Sequence, residues 1–356
     1  MRSLGVNFAE SGSNKNDLHH SASIFELIPA YKNNTMINST GTLPPDNPST
    51  STTKLVFEVI LLIIVGSIGI AGNIKGITNI ACIKRPSKFQ SLMATLFVFD
   101  AIFIFTAFMI FTMPELSTEY KHHGHMYIGP MVSPILQMSM TGALYCQMAF
   151  TVERYLVVCH PLYLHAKQWS VKIYIIPLVA FSVVYNLPKF FEIKTSFCDS
   201  TFKHESENHT TILWIKGHNV NESYYYPTEM RRNYLYRTIY LTGMNIVSML
   251  IFPFLVLILL NMLTLMNLKR YQENQKKIEP HLASKSERVV ALVRITLAIV
   301  VTSVLCHSIK WVPTIYEMVD EIGYQKSMGT IEIFDHVSHF FLVFNASICY
   351  YIYNFK

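Results

Sequence analysis

Long apolar blocks alternate with short polar connectors along this chain. A helix crosses the hydrocarbon core of a bilayer with about 20 mostly apolar residues. Seven stretches approach that requirement: Leu55–Ile83, Ser91–Thr112, Met126–Val152, Ile173–Pro188, Thr238–Leu268, Val289–Tyr316 and Val337–Phe355. Charges inside them are few. The first carries Glu58 and Lys75, the second Asp100, the sixth Arg294 and Lys310, and the others none. The fourth is short, but Lys172 and Lys189 bound it, and their stems extend it by reaching for the interface. The pattern predicts an all-α membrane protein, a bundle of seven transmembrane helices over residues 54–356.

Seven spans place the termini on opposite sides, and the basic connectors decide which side is which. Lys84–Gln90 holds Lys84, Arg85 and Lys88 with no acid, and Lys269–Arg288 holds six basic residues against Glu273, Glu279 and Glu287. On the other side, Glu317–Asp335 sets Glu317, Asp320, Glu321, Glu332 and Asp335 against Lys326 alone. The expectation is an extracellular N-terminus and a cytoplasmic C-terminus. Residues 1–53 are polar, rich in Ser, Thr and Asn, and lack an apolar leader core. They read as a disordered extracellular tail without a cleaved signal peptide, the first span serving as insertion signal. Asn33, Asn38, Asn208 and Asn221 each begin an N-x-[ST] triplet on the outer side, so the tail and an outer loop are expected to be glycosylated.

Composition narrows the class further. Apolar residues make up 51% and charged residues 15%, against about 25% charge in soluble domains; mean hydropathy is +0.30. The net charge of +6 contains no Lys/Arg run long enough to suggest nucleic-acid binding. Six cysteines include no CxxC pair, so zinc-ribbon and thioredoxin-like sites have no ligands. No nucleophile–base pair or phosphate loop is visible, so neither catalysis nor a cofactor is expected. An odd number of spans without internal repeat argues against an inverted-repeat transporter. The seventh span has no lysine for a retinal Schiff base.

The third span ends Thr151-Val152-Glu153-Arg154-Tyr155-Leu156-Val157-Val158-Cys159-His160-Pro161-Leu162. Acid-Arg-Tyr followed by Cys-His-Pro-Leu resembles the signature of rhodopsin-like G-protein-coupled receptors. Gly72-Asn73, Leu96 with Asp100, Pro253, and Asn345-Ala346-Ser347-Ile348-Cys349-Tyr350-Tyr351-Ile352-Tyr353 follow in that family's order. The resemblance implies a multi-pass plasma-membrane receptor whose partners are an extracellular ligand and a heterotrimeric G protein. Glu153, Arg154, Tyr155 and Tyr353 would form the G-protein switch, Arg154 pairing with Glu153 at rest. Asn73, Asp100 and Asn345 would form a polar hub within the membrane. The family binds sodium at the position of Asp100. Here Ala143 and Cys349 replace oxygen donors, so a hydrogen-bonded hub is favoured over all but a weak sodium site; no other metal is expected.

A narrower likeness lies in Asn186-Leu187-Pro188-Lys189-Phe190-Phe191-Glu192, in Cys306-His307 with Ile315-Tyr316-Glu317, and in the Asn-x-Ser-x-x-x-x-Ile-Tyr ending. These resemble the invertebrate FMRFamide-type neuropeptide receptors and imply a short amidated peptide as ligand. Five outer acids against one base would steer a cationic peptide. Its arginine would pair with Glu192, Glu332 or Asp335, and its amide would meet Gln137 or Asn245. Met140, His307, Lys310, Trp311 and His339 complete the expected pocket. A zinc site among these histidines is disfavoured, because no close ligand spacing recurs along the chain. The sequence also departs from the family. Gly129 stands where a cysteine usually pairs with the second outer loop, leaving Cys198 without an obvious partner. His307 and Ile309 replace the switch Trp and kink Pro, and Val289 holds the inter-helix lock position. The chain stops three residues after Tyr353, which keeps a truncated, non-signalling receptor open. A chemosensory receptor for a non-peptide ligand is the other alternative.

Overall fold

The computed structural model describes residues 52–162, 170–197, 223–278, 283–319 and 328–354. Seven long helices run through them: α1 Leu62–Ala81, α2 Lys88–Ala107, α3 His125–Cys159, α4 Lys172–Asn186, α5 Phe252–Ile278, α6 Ala283–Val319 and α7 Met328–Asn354. Wide π-type turns extend α1 backward (Leu55–Leu61), carry α2 forward (Phe108–Thr112) and lead into α5 (Tyr236–Met244 and Val247–Ile251). Local chemistry sets some boundaries. Ser87 and Gln90 form a reciprocal capping box that starts α2, the Ser87 hydroxyl accepting from the Gln90 N–H and the Gln90 carbonyl accepting from the Ser87 N–H.

Five continuous helical stretches are long and apolar enough to cross a membrane: Thr52–Ala81, Lys88–Leu116, Lys172–Phe191, Tyr236–Glu273 and Glu287–Val312. The third and seventh expected spans also form helices, but polar side chains lower their hydropathy. On α3, Gln137, Ser139, Thr141, Gln147 and Thr151 are all buried; on α7, Asp335, Ser338, His339, Asn345 and Ser347 are buried too. Meanwhile Ile64, Ile68, Leu255, Leu259, Met262 and Leu305 are exposed. Apolar residues outward and polar residues inward is the pattern of a bundle whose solvent is lipid.

α3 is central, packing against α2, α4, α5 and α6, while α7 closes the ring onto α1, α2 and α6. Side-chain hydrogen bonds stitch the ring. Asn73 on α1 donates to the Ala346 carbonyl (3.1 Å), Asn186 on α4 to Thr141 Oγ1 (2.9 Å) and Tyr145 on α3 to the Ser248 carbonyl (3.0 Å). Between α1 and α7 the helices nearly touch. A Cβ on Gly69 would lie 2.6 Å from Ser347 Cβ and 2.8 Å from its Cα. That position admits only glycine while the backbones stay where they are.

One element was not expected from an all-α reading. β1 (Ile193–Phe197) and β2 (Ser223–Pro227) pair antiparallel in the α4–α5 connector, with Ile193 opposite Pro227 and Thr195 opposite Tyr225. The Tyr224-Tyr225-Tyr226 run is a strand-forming composition that span counting passes over. α7 also begins well before Val337, because Glu332, Asp335 and His336 continue the helix as a polar first two turns. The tail 1–51, the four glycosylation triplets, Cys198 and the acids Asp320 and Glu321 lie outside the described residues.

Candidate functional site

Two regions at opposite ends of the bundle carry the expected chemistry. The first is the end of α3 near the α1–α2 connector. Glu153 and Arg154 are 4% and 5% exposed. Arg154 Nε donates to Glu153 Oε2 at 2.5 Å, and its guanidinium lies over the Phe89 ring, 4.6 Å from the centroid. Charge pairing and a cation–π contact thus hold the same side chain. Tyr155 turns elsewhere, its hydroxyl 3.1 Å from His160 Nε2. Tyr353 packs edge-on against Phe97, with centroids 5.8 Å apart.

Midway along the bundle, Asn73, Asp100 and Asn345 are all buried. Their hydrogen bonds run separately rather than through one another. Asn73 donates to the Ala346 carbonyl, Asn345 Oδ1 accepts from Ser303 (2.9 Å), and the Cys349 thiol donates to the Asn345 backbone carbonyl (3.2 Å), while Asp100 Oδ2 has no hydrogen-bond partner among the described residues. The shared partner is one turn of α7, which contacts α1, α2 and α6 at a single level.

The second region is the end bearing the hairpin. Met140, Trp311 and Phe111 belong to one buried apolar cluster drawn from α3, α6 and the end of α2. Lys310 Nζ reaches Met140 Sδ at 3.5 Å. Gln137 and His307 are buried beside this level, and Asn245 is half-buried ahead of α5. On α7, Asp335 is buried and Glu332 half-buried. The structure therefore gathers Met140, Lys310 and Trp311 directly.

Two expected ligand contacts have other partners. Glu192 is 4% exposed, forms an ion pair with Arg231, and accepts from the Tyr236 hydroxyl at 2.9 Å. It closes the base of the hairpin rather than facing an open cleft. His339 stacks on Phe111 (centroids 4.0 Å apart) and its Nδ1 lies 2.7 Å from Glu58 Oε1. Arg231 and Glu58 had no role in the sequence reading. A buried acid in an otherwise apolar first span was the available signal for Glu58. Arg231 sits in a polar connector that offered none. Lys75 is exposed on the outer surface of α1, where its stem can run along the helix toward the interface.

Residues 77–350 match the family described as 7 transmembrane receptor (rhodopsin family). The chain belongs to that family. It is therefore a membrane signalling receptor and not an enzyme. It is also similar to the FMRFamide receptor of Drosophila melanogaster, with 29% identity over 285 residues covering 76% of this chain and 48% of the relative. The receptor described here thus spans about half the length of that relative.

Proposed function

We propose that this receptor lies in the plasma membrane with seven spans and an outer N-terminus, binds a short C-terminally amidated peptide at the hairpin end, and couples to a heterotrimeric G protein at the Arg154 end. The observation that carries the reading is a buried aromatic and methionine-containing cluster on α3, α6 and the end of α2, together with carboxylates buried or half-buried on α7, the helix that packs against α6. Trp311, Phe111 and Met140 offer a phenylalanine ring an apolar seat. Asp335 and Glu332, one turn apart on α7, offer a guanidinium a carboxylate. Lys310 brings a donor for the terminal amide carbonyl. Similarity to a receptor named for FMRFamide, a peptide ending in Arg-Phe-amide, supports the same ligand class.

Signalling follows as a shift between two populations. A peptide moves the equilibrium only by binding the active bundle better than the resting one. The resting bundle is the one with Arg154 held by Glu153 and Phe89. Activation releases Arg154 to the G protein, and the basic connectors flank its path. The test is displacement of a labelled Arg-Phe-amide peptide from membranes carrying the wild type, Asp335→Asn or Glu332→Gln. Loss of a charge-assisted pair, about 1.5–3 kcal/mol, predicts an affinity drop of about 10- to 150-fold in at least one variant. Unchanged affinity in both, at matched expression, removes the acid pairing.

A further inference from the structure

Peptide binding and coupling leave Glu58 unused. It is an acid in an apolar helix, only 1% exposed, and a carboxylate is not buried there without strong partners. Its partners are two histidines on α7. His339 Nδ1 stands 2.7 Å and His336 Nδ1 2.9 Å from the same oxygen, Oε1. Spacing of i, i+3 puts both rings on one helix face.

As a hydrogen-bonded cluster this arrangement is incomplete. His336 Nδ1 makes no hydrogen bond among the described residues despite its approach, and Glu58 Oε2 is buried with no hydrogen-bond partner among them either. Two ring nitrogens crowd one oxygen while the other oxygen is left over. Ligand atoms of all three residues lie within 4.8 Å of one another. The geometry points to a divalent transition-metal site of the zinc class, built from Glu58, His336 and His339 and clasping α1 to α7.

The donor set chooses the ion. Two imidazoles and one carboxylate suit zinc and its neighbours, whereas calcium and magnesium require six or more oxygens. Zinc takes nitrogen and oxygen ligands at about 2.0–2.2 Å in a tetrahedron, so its ligand atoms stand roughly 3.3 Å apart. The observed separations of 2.7 and 2.9 Å must open by about half an ångström. Three protein ligands leave a fourth position for water or a ligand donor. The supports are in place: Phe111 stacks on the His339 ring, and Thr112 Oγ1 donates to the Glu58 carbonyl at 2.6 Å. The stacked ring fixes the plane of the His339 imidazole, and the Thr112 bond ties down the backbone that carries Glu58. Sequence spacing could not reveal this site, because its third ligand comes from another helix.

The test uses the full chain in nanodiscs, purified without a histidine tag and with no peptide present, so its outcome is independent of the ligand reading. Zinc is titrated against a chromophoric chelator, and cobalt is added as a spectroscopic stand-in. The site predicts one tight equivalent and the intense visible bands of tetrahedral cobalt. His336→Asn, the mildest change because His336 is half-buried, and His339→Asn should each weaken zinc about tenfold or more. Joint replacement of His204, His209 and His218 by Ala should leave that equivalent intact. The proposal is overturned if the wild type shows no tight equivalent and no tetrahedral cobalt spectrum, or if both single variants bind like wild type. Should Glu58→Gln or His339→Asn fail to fold, His336→Asn and the wild-type cobalt spectrum still decide.

Discussion

Arg231→Met tests whether the hairpin is latched by a buried ion pair. Arg231 and Glu192 side chains are 7% and 5% exposed, and Tyr236 donates to the other Glu192 oxygen at 2.9 Å. Removing Arg231 alone strands a carboxylate in the interior. Breaking a buried pair in this way costs about 3–5 kcal/mol, a rise of about 100- to 4,000-fold in the unfolded fraction at about 1.4 kcal/mol per decade. Glu192→Leu alone takes away the carboxylate that Arg231 pairs with and should also destabilise the hairpin. Pairing the two changes removes both charges, so that neither is left buried opposite a missing partner. The double variant should therefore be more stable than either single one. The assay is surface expression together with the thermal midpoint of detergent-solubilised receptor for all four proteins. If the double variant loses the sum of the two single losses, the residues act independently and there is no latch. If Arg231→Met is stable yet abolishes peptide potency, Glu192 serves the ligand instead.

Three further outcomes follow from named contacts. Gly69→Val drives a branched side chain into the Ser347 backbone and should cost about 1–3 kcal/mol, read as lost surface expression, with Ile68→Val on the exposed face as the unaffected control; normal expression of the valine variant would contradict the close approach of α1 and α7. Glu153→Gln removes the charge pairing that holds Arg154 and should raise the active-to-resting ratio about tenfold, from about 1.5 kcal/mol of lost charge-assisted bonding, seen as ligand-independent G-protein signalling; unchanged basal output would mean that the Phe89 contact alone suffices. Ser303→Ala removes the donor to Asn345 and should cost about 1–3 kcal/mol of resting-state stability through the carbonyl it strands, measured as a lower thermal midpoint; an unchanged midpoint would show that water or another donor replaces it.

The features legible in the sequence are those carried by neighbours in the chain. Apolar runs located the five continuous membrane-length helical stretches to within about five residues at each end, and the adjacent Glu153 and Arg154 of the sequence string do pair with each other in the structure. The family likewise agrees with the motifs that suggested it. What escaped depends on distant residues meeting. Arg231 reaches Glu192 across 39 positions and His339 reaches Glu58 across 281, and neither periodicity nor hydropathy registers such pairs. Hydropathy also cut α7 short, because its first turns carry Glu332, Asp335 and His336 among their apolar residues. The hairpin was hidden for a related reason: five-residue strands carry little signal beside spans four times their length.

The central claim is that an amidated peptide drives this receptor. Its most direct test is calcium release in cells expressing the full chain with a promiscuous G protein, challenged by Arg-Phe-amide peptides and by the same peptides as free acids. The account predicts a response to the amides, absent or at least tenfold weaker for the acids. Silence toward every amidated peptide, with surface expression confirmed, or equal potency of amide and acid, would contradict it.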